Sequence, residues 1–386
     1  MDRIILHSDL NNFFASVECA KKPELSDKCV AVCGSSAERH GIVLAKNQNA
    51  KKFGIKTGEV IWKAKQKCPD LIIVEPDFTS YHKYSKLVQS IYYSYTDLIE
   101  PFGIDECWLD VTGSTSLFGS GEEIADKIRK HVKAETNLTV SVGVSFNKIF
   151  AKLASDMKKP DAVTSIPREN FKNIIWPLPA CDLLGVGRKT AATLTKHNVL
   201  TIGDIAATDP ECLESWLGKS GIMLWQYANG LEASPVVSCK EQPGVKSIGH
   251  GSTTPNDLTS NEEVFKLISF LTNEISDKLK CEKKLAGGVS VTVKNCFFKT
   301  SEFQTTLPTP TQSGTVISKA AGELFASKYK WENDIRTVTV TAINLSSKSD
   351  CHQTSLFENT KENEKLLKLE NCIDEIRSRF GDDIIK

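Results

Sequence analysis

The sequence predicts an α+β multidomain chain, and three observations lead there. Up to about residue 170, short apolar strands alternate with amphipathic helices through connections short enough for antiparallel pairing. From Ile174 to Leu231 the pattern is helical throughout, with glycine turns. From Val245 to Leu345 strand-type alternation returns around two helices. At 386 residues the chain is also too long for one ordinary core.

The elements follow in order. Ile4–Leu6 reads as a buried strand, followed by a turn and a helix from Phe13 to Ala20. Cys29–Cys33, Gly41–Ala45 and Leu71–Val74 read as strands, with short helices at Asn47–Phe53 and Trp62–Cys68. Tyr81–Ile99 reads as one long helix, because Tyr84, Leu87, Val88, Ile91, Tyr92, Tyr95 and Leu98 keep the spacing of a core face. A strand pair runs through Glu106–Val111, then a helix Glu122–Thr136, a strand Val140–Phe146 and a helix Lys148–Met157. Pro235–Pro243 is polar, aperiodic and reads as a linker. Beyond it, helices Val264–Leu279 and Ile317–Tyr329 and strands Gly288–Val293, Thr300–Thr306 and Arg336–Ile343 predict two similar halves forming a four-stranded sheet backed by two helices. The tail is polar to Gln353 and ends in a charged helix, Lys361–Phe380.

Composition bounds the function. Forty-eight basic residues balance 48 acidic ones, which excludes a chain coated in positive charge but leaves room for local basic patches. Twelve cysteines are scattered without a Cys-x-x-Cys, and read as free thiols of a reducing compartment. Cys29, Cys33 and His40 make only a poor metal set. No apolar run is long enough to span a bilayer and no signal peptide is evident, so the expected location is the cytoplasm, with no membrane partner.

Chemistry concentrates in three acids. Asp9 ends an apolar strand, and Asp105 and Glu106 sit side by side in Phe102-Gly-Ile-Asp-Glu-Cys-Trp-Leu-Asp110. In an ideal strand Asp105 and Glu106 face opposite sides, so both reach one ion only if the strand starts there, out of a turn that Gly103 supplies. Taken alone the pair reads more readily as a solvated hairpin tip; with Asp9 it reads as a site for Mg²⁺, the hard cation of phosphoryl transfer. Phe13 reads as core, whereas Phe14 can pack beneath a sugar and exclude a 2′-hydroxyl. Lys46, Lys51 and Lys52, and the lysines of Asp156-Met-Lys-Lys-Pro160, are cations for a triphosphate or else a solvated face. Leu184-Gly-Val-Gly-Arg-Lys-Thr190 places Gly185 and Gly187 between helices, where backbone N–H groups hold phosphate and Arg188 and Lys189 add charge. It lacks P-loop spacing. Gln353-Thr-Ser-Leu-Phe357 is a peptide able to dock in an apolar groove.

Together these stretches resemble the Y-family of DNA polymerases, in its bacterial DinB (polymerase IV) branch. The first motif is Ser8-Asp-Leu-Asn-Asn-Phe-Phe-Ala-Ser-Val-Glu18, the fingers motif Ala50-Lys-Lys-Phe-Gly-Ile-Lys-Thr-Gly58, and the hairpin motif Gly103-Ile-Asp-Glu-Cys-Trp-Leu-Asp110. Val142-Gly-Val-Ser-Phe-Asn-Lys148 and Phe150-Ala-Lys-Leu-Ala-Ser-Asp-Met-Lys-Lys-Pro160 complete the series. The resemblance implies a right-hand architecture: palm 1–20 and 76–170, fingers 21–75, a helical thumb 171–234 with a helix-hairpin-helix, linker 235–244, little finger 245–346 and tail 347–386. It implies low-fidelity translesion synthesis without proofreading, on primer-template DNA and dNTPs, by a monomer. Asp9, Asp105 and Glu106, with the backbone carbonyl of Leu10, are expected to hold two Mg²⁺ ions, replaceable by Mn²⁺. Phe14 falls on the steric gate; Phe13, Gln48, Lys51 and Lys159 fall on the triphosphate grip; Ile42 and Leu44 fall on the roof over the base pair. Gly185, Gly187, Arg188 and Lys189 are expected on the DNA backbone, and Gln353, Leu356 and Phe357 on the bacterial sliding clamp.

Three departures qualify the resemblance. Gln48 and Lys51 stand where the family usually offers tyrosine and arginine, which predicts weaker nucleotide binding unless Lys46 compensates. Ile42 and Leu44 predict a lower roof and a narrower range of lesions, and Gly103 replaces a common serine at little expected cost. Two rivals remain: a nucleotidyl cyclase, which has no need of the DNA-gripping hairpin or the second half of the chain, and a catalytically weak DNA-binding relative, which the intact acids oppose.

Overall fold

The computed structural model describes residues 2–35, 41–238 and 244–348, with part of the segment 369–381. Among the described residues the chain divides into two compact units, one formed by residues 2–34 and 41–238 and the other chiefly by residues 244–348.

The first unit is built on a five-stranded sheet that opens with β1 (Ile5–Leu10), and α1 (Phe13–Lys21) follows it. A smaller three-stranded sheet follows, made of β2 (Val30–Cys33), β3 (Val43–Lys46) and, after α2 (Gln48–Lys52) and α3 (Ile61–Lys67), β4 (Ile72–Val74), in the order β3-β2-β4. The chain then returns through α4 (Phe78–Tyr93), β5 (Ile99–Phe102), β6 (Glu106–Asp110), α5 (Thr115–Phe118), α6 (Gly121–Thr136), β7 (Val140–Ser145), α7 (Lys148–Met157) and β8 (Val163–Ile166). The large sheet has the order β5-β6-β1-β7-β8, so β1 is central and is buried along its whole length. Its core runs through Leu6, Leu10, Val17, Tyr81, Leu109, Ile128 and Val142.

The helix expected at Tyr81–Ile99 stops at Tyr93. Thr96 donates its hydroxyl to the Asp110 carbonyl at 2.6 Å, and Asp110 N donates to the Leu98 carbonyl at 3.1 Å, so the sheet captures the end of that apolar pattern. The first strand runs four residues beyond Leu6, because Ser8 is buried and satisfied by the Tyr92 hydroxyl at 2.8 Å.

Five short helices complete this unit: α8 (Phe171–Ile175), α9 (Arg188–Lys196), α10 (Ile202–Ala207), α11 (Pro210–Leu217) and α12 (Lys219–Ala228). They enclose Leu183, Leu194, Ile202, Leu213 and Leu224. The expected linker is partly seated: Val236 is 4% exposed in a cluster with Ile5, Trp108 and Ala151, and Val237 N donates to Glu100 at 2.8 Å.

The second unit runs β9 (Ile248–Leu258), α13 (Asn261–Cys281), β10 (Lys284–Asn295), β11 (Thr300–Thr311), α14 (Gly314–Lys328) and β12 (Ile335–Ser347). Its four-stranded sheet has the order β11-β10-β12-β9, with α13 and α14 over a core of Val289, Val291, Val338 and Phe325. The fourth strand is β9, an edge strand whose polar alternation and Pro255 hide it from a hydrophobic reading. Most of the expected terminal helix, and the peptide Gln353–Phe357, lie outside the described residues. Glu370 accepts from the Ser313 hydroxyl at 2.7 Å and Thr315 N at 3.1 Å, at the start of α14. Among the described residues ten cysteines are free, and no helix is long and apolar enough to cross a membrane.

Candidate active site

The acids stand at neighbouring ends of β1 and β6, two of the three inner strands. Asp9 is the cross-strand partner of Glu106 in the β1–β6 pair, so both carboxylates leave the same face of the sheet. Asp105 precedes β6 in a turn where Gly103 takes φ +84, and the strand begins at Glu106. Leu10 N donates to the Asp105 carbonyl at 3.0 Å, and the Ser85 hydroxyl donates to the Ile104 carbonyl at 2.5 Å. These bonds tie the turn to β1 and α4 and set Asp105 beside Asp9.

Each strand-borne acid faces a lysine. Lys159 lies 2.7 Å from Asp9 and 2.8 Å from Asp156. Lys152 lies 2.5 Å from Glu106. Burial pushes the Asp9 carboxyl up to about 6 against the pull of Lys159. Asp105 is raised by burial and by the Glu106 charge. Burial also pushes Glu106 up, but the contacts with His7 and Lys152 outweigh it and hold that carboxyl at about 2. Burial lowers the pKa of His7, whose Nε2 lies 3.3 Å from Glu106. Burial opposes the charge on Lys159, yet Asp9 and Asp156 keep it protonated.

Asp9, Leu10, Asp105, Phe13, Phe14 and Leu44 line one pocket of about 220 Å³, together with Asn12, Ala45, Lys46 and Thr57. Phe14 stacks on Tyr81, with ring centres 4.3 Å apart and planes 12° from parallel. Phe13 is buried in the sheet core, so its backbone rather than its ring faces the pocket. α1 starts here without a side-chain cap, leaving first-turn N–H groups available for an anion. Lys46 donates to Thr57 at 2.8 Å, and burial followed by the Lys51 charge depresses its pKa.

Other expected residues lie elsewhere. Gln48 lines a larger neighbouring groove of about 530 Å³, with Asn47, Asn49 and Asn137. That groove's one carboxylate, Asp161, is already held by Arg129 and Lys133, so the chemistry belongs to the smaller pocket. Lys51 is exposed on α2, and Ile42 is half-exposed and bridges to Val60. Gly185, at φ +95, and Gly187 border a third groove of about 390 Å³ with Lys152 and Asp156. Lys152 thus links the acids to the glycine hairpin, whose Arg188 and Lys189 are exposed. Lys152 and His7 were not singled out from sequence. Lys152 was legible as the residue four after Lys148 on one helix face, whereas buried His7 gave no signal.

The donor set suits a divalent cation. Carboxylates and a carbonyl are hard oxygen ligands, and burial leaves Asp9 reluctant to ionise without a cation nearby. Among the described residues no three acidic, imidazole or thiol groups converge as a ready-made cage. Asp9 and Glu106 turn instead onto Lys159 and Lys152.

Residues 8–156 match the impB/mucB/samB family, and residues 245–356 match the impB/mucB/samB family C-terminal domain. DNA polymerase IV of Acetivibrio thermocellus is 48% identical over 99% of this chain and 96% of its own length. DNA polymerase IV 1 of Bacillus subtilis is 34% identical over 100% of this chain and 92% of its own. A solved Y-family DNA polymerase chimera of Dbh and Dpo4 superposes with a TM-score of 0.80 at 25% identity, covering 89% of this chain and 99% of that one. The fold and the paired acids define a polymerase of the Y-family type. The chain belongs to the Y-family of DNA polymerases, among the relatives named DNA polymerase IV.

Proposed function

We propose that Asp9, Asp105 and Glu106 are the catalytic acids of this chain. The chain is a DNA-directed DNA polymerase of the translesion type, adding deoxynucleotides to a primer 3′ end. One observation carries the residue assignment: Asp9 and Glu106 face each other across the inner strands, with Asp105 at the turn beside them. Two divalent cations, Mg²⁺ or Mn²⁺, held by these acids and the Leu10 carbonyl would supply activation of the 3′-hydroxyl and neutralise the triphosphate.

The chain's own groups do the rest. The uncapped start of α1 and Lys159 receive phosphate oxygens, with Lys159 exchanging Asp9 for the triphosphate. Lys46 takes part of the grip that the half-removed Gln48 and exposed Lys51 leave open. Phe14, stiffened by Tyr81, lies under the sugar and bars a 2′-hydroxyl. Leu44 and Ile42 roof the base pair. Gly185 and Gly187 hold DNA backbone through N–H groups, with Arg188 and Lys189 adding charge. In this reading residues 1–20 and 76–170 are the palm, 21–75 the fingers, 171–234 the thumb and 245–346 the little finger. Gln353, Leu356 and Phe357 bind the sliding clamp, and the polymerase acts as a monomer.

Primer extension with dNTPs and Mg²⁺ tests this reading. The chain extends the primer, a chelator stops it, and Phe14→Ala admits ribonucleotides. A chain that extends nothing overturns the reading, and unchanged sugar discrimination in Phe14→Ala removes Phe14 from the gate.

A further inference from the structure

β10 and β11 of the second unit are joined by a four-residue turn, Cys296–Lys299, that displays two phenylalanines. Phe297 is 75% exposed and Phe298 66%. Rings of that size are normally recruited into a core or an interface, so a displayed pair marks a contact surface. Every backbone N–H of the turn beneath them is bonded. Cys296 N donates to the Asp334 carbonyl at 3.0 Å and Phe298 N to the Asn295 carbonyl at 2.9 Å. Phe297 N and Lys299 N both donate to the side-chain oxygen of buried Asn295, at 3.0 and 2.9 Å. Phe298 takes φ 63, a left-handed conformation that costs a bulky residue energy and persists only where its surroundings hold it.

One of the two rings is supported and the other is open. The guanidinium of Arg336 on β12 lies 5.1 Å from the Phe298 ring centre. Phe297 makes no ring contact among the described residues. Lys294 and Lys299 flank the tip, so with Arg336 three cations stand on the ribbon, against exposed Glu332 and Asp334 in the turn before β12. A rigid aromatic beside cations is the chemistry that binds single-stranded nucleic acid. Every base has a π face, and every phosphate draws positive charge.

We propose that Phe297 is a stacking site for an unpaired DNA base, with Phe298 and Arg336 bracing the tip and Lys294 and Lys299 meeting the adjoining phosphates. The inference rests on the polymerase reading, which supplies a DNA with unpaired template bases. It goes beyond that reading by giving the second unit a contact with single strand.

Phe297→Trp in the full chain supplies the probe. Its fluorescence is expected to be quenched by a primer–template carrying a 5′ template overhang and not by a blunt duplex. Phe297→Ala and Phe297→Leu are both expected to lose about 5- to 100-fold in affinity for the overhang DNA, the usual worth of one base–aromatic stack. Leucine binding as well as phenylalanine overturns the proposal, because it shows apolar contact rather than stacking. So does overhang affinity unchanged in both variants, or a change confined to self-association in sedimentation. Primer extension by the unsubstituted chain separates the two levels: extension without any effect at the tip removes only this site, whereas no extension and no DNA binding removes the polymerase reading as well.

Discussion

Asp9 is where burial and charge oppose each other most directly. Its unfolded carboxyl titrates near 3.8 and its folded one at about 6, so the folded chain holds an extra proton between those values. The stability it contributes therefore falls as pH rises from about 4 to about 6, and stays lower above. Glu106 runs the other way: with its folded value at about 2 and its unfolded value near 4.5, it stabilises above about 4.5, and that contribution is lost as pH falls towards 2. A cation competes with the Asp9 proton, so Mg²⁺ or Mn²⁺ affinity measured by calorimetry falls about tenfold per pH unit below about 6. Affinity that stays flat from about pH 5 to 7.5 contradicts the burial argument. Lys46 offers a second prediction at this scale. Lys46→Ala raises the nucleotide KM by about tenfold or more with kcat little changed, as loss of a charge-assisted contact requires. An unchanged KM in steady-state kinetics removes Lys46 from the phosphate grip. The acids were legible because three carboxylates ended apolar runs. Lys152 and His7 were not singled out, since their meaning depends on what α7 and β1 pack against.

At the scale of elements, strand and helix positions followed the hydrophobic pattern wherever one face was apolar. The pattern misled where tertiary bonds took over. The apolar run after Tyr93 belongs to the sheet because Thr96 and Asp110 bond across it, and β9 was missed because an edge strand needs no apolar face. The seated start of the linker was invisible for a similar reason: Val236 is one apolar residue in a polar stretch. Its anchor makes a prediction. Glu100 accepts from Lys148 at 2.5 Å and from Val237 N at 2.8 Å, while the Lys148 ammonium lies 5.5 Å from the Trp108 ring centre. Lys148→Met leaves Glu100 with the Val237 N–H and no counter-charge, and lowers stability by about 1–3 kcal/mol in urea unfolding. Glu100→Gln combined with Lys148→Met recovers part of that loss, and strictly additive effects contradict a coupled pair.

At the scale of the whole molecule, two separate cores predict separable folding. The second unit buries Val264, Ile268, Val289, Val340 and Phe325 around its own sheet, so residues 244–348 produced alone unfold in one cooperative transition followed by circular dichroism. Non-cooperative loss of signal contradicts an autonomous core. Composition alone said little about the activity, because a net charge of zero hides where the lysines stand; the order of the motifs along the chain said most. The central claim is that Asp105 and its two partners perform the chemistry on DNA held by other parts of the chain. Single-turnover primer extension with Mg²⁺, with DNA affinity measured alongside, tests it most directly by comparing the unsubstituted chain with Asp105→Ala. The expected result is a loss of at least about a hundredfold in extension rate with DNA affinity kept within about twofold. Extension by Asp105→Ala at close to the unsubstituted rate would contradict the assignment.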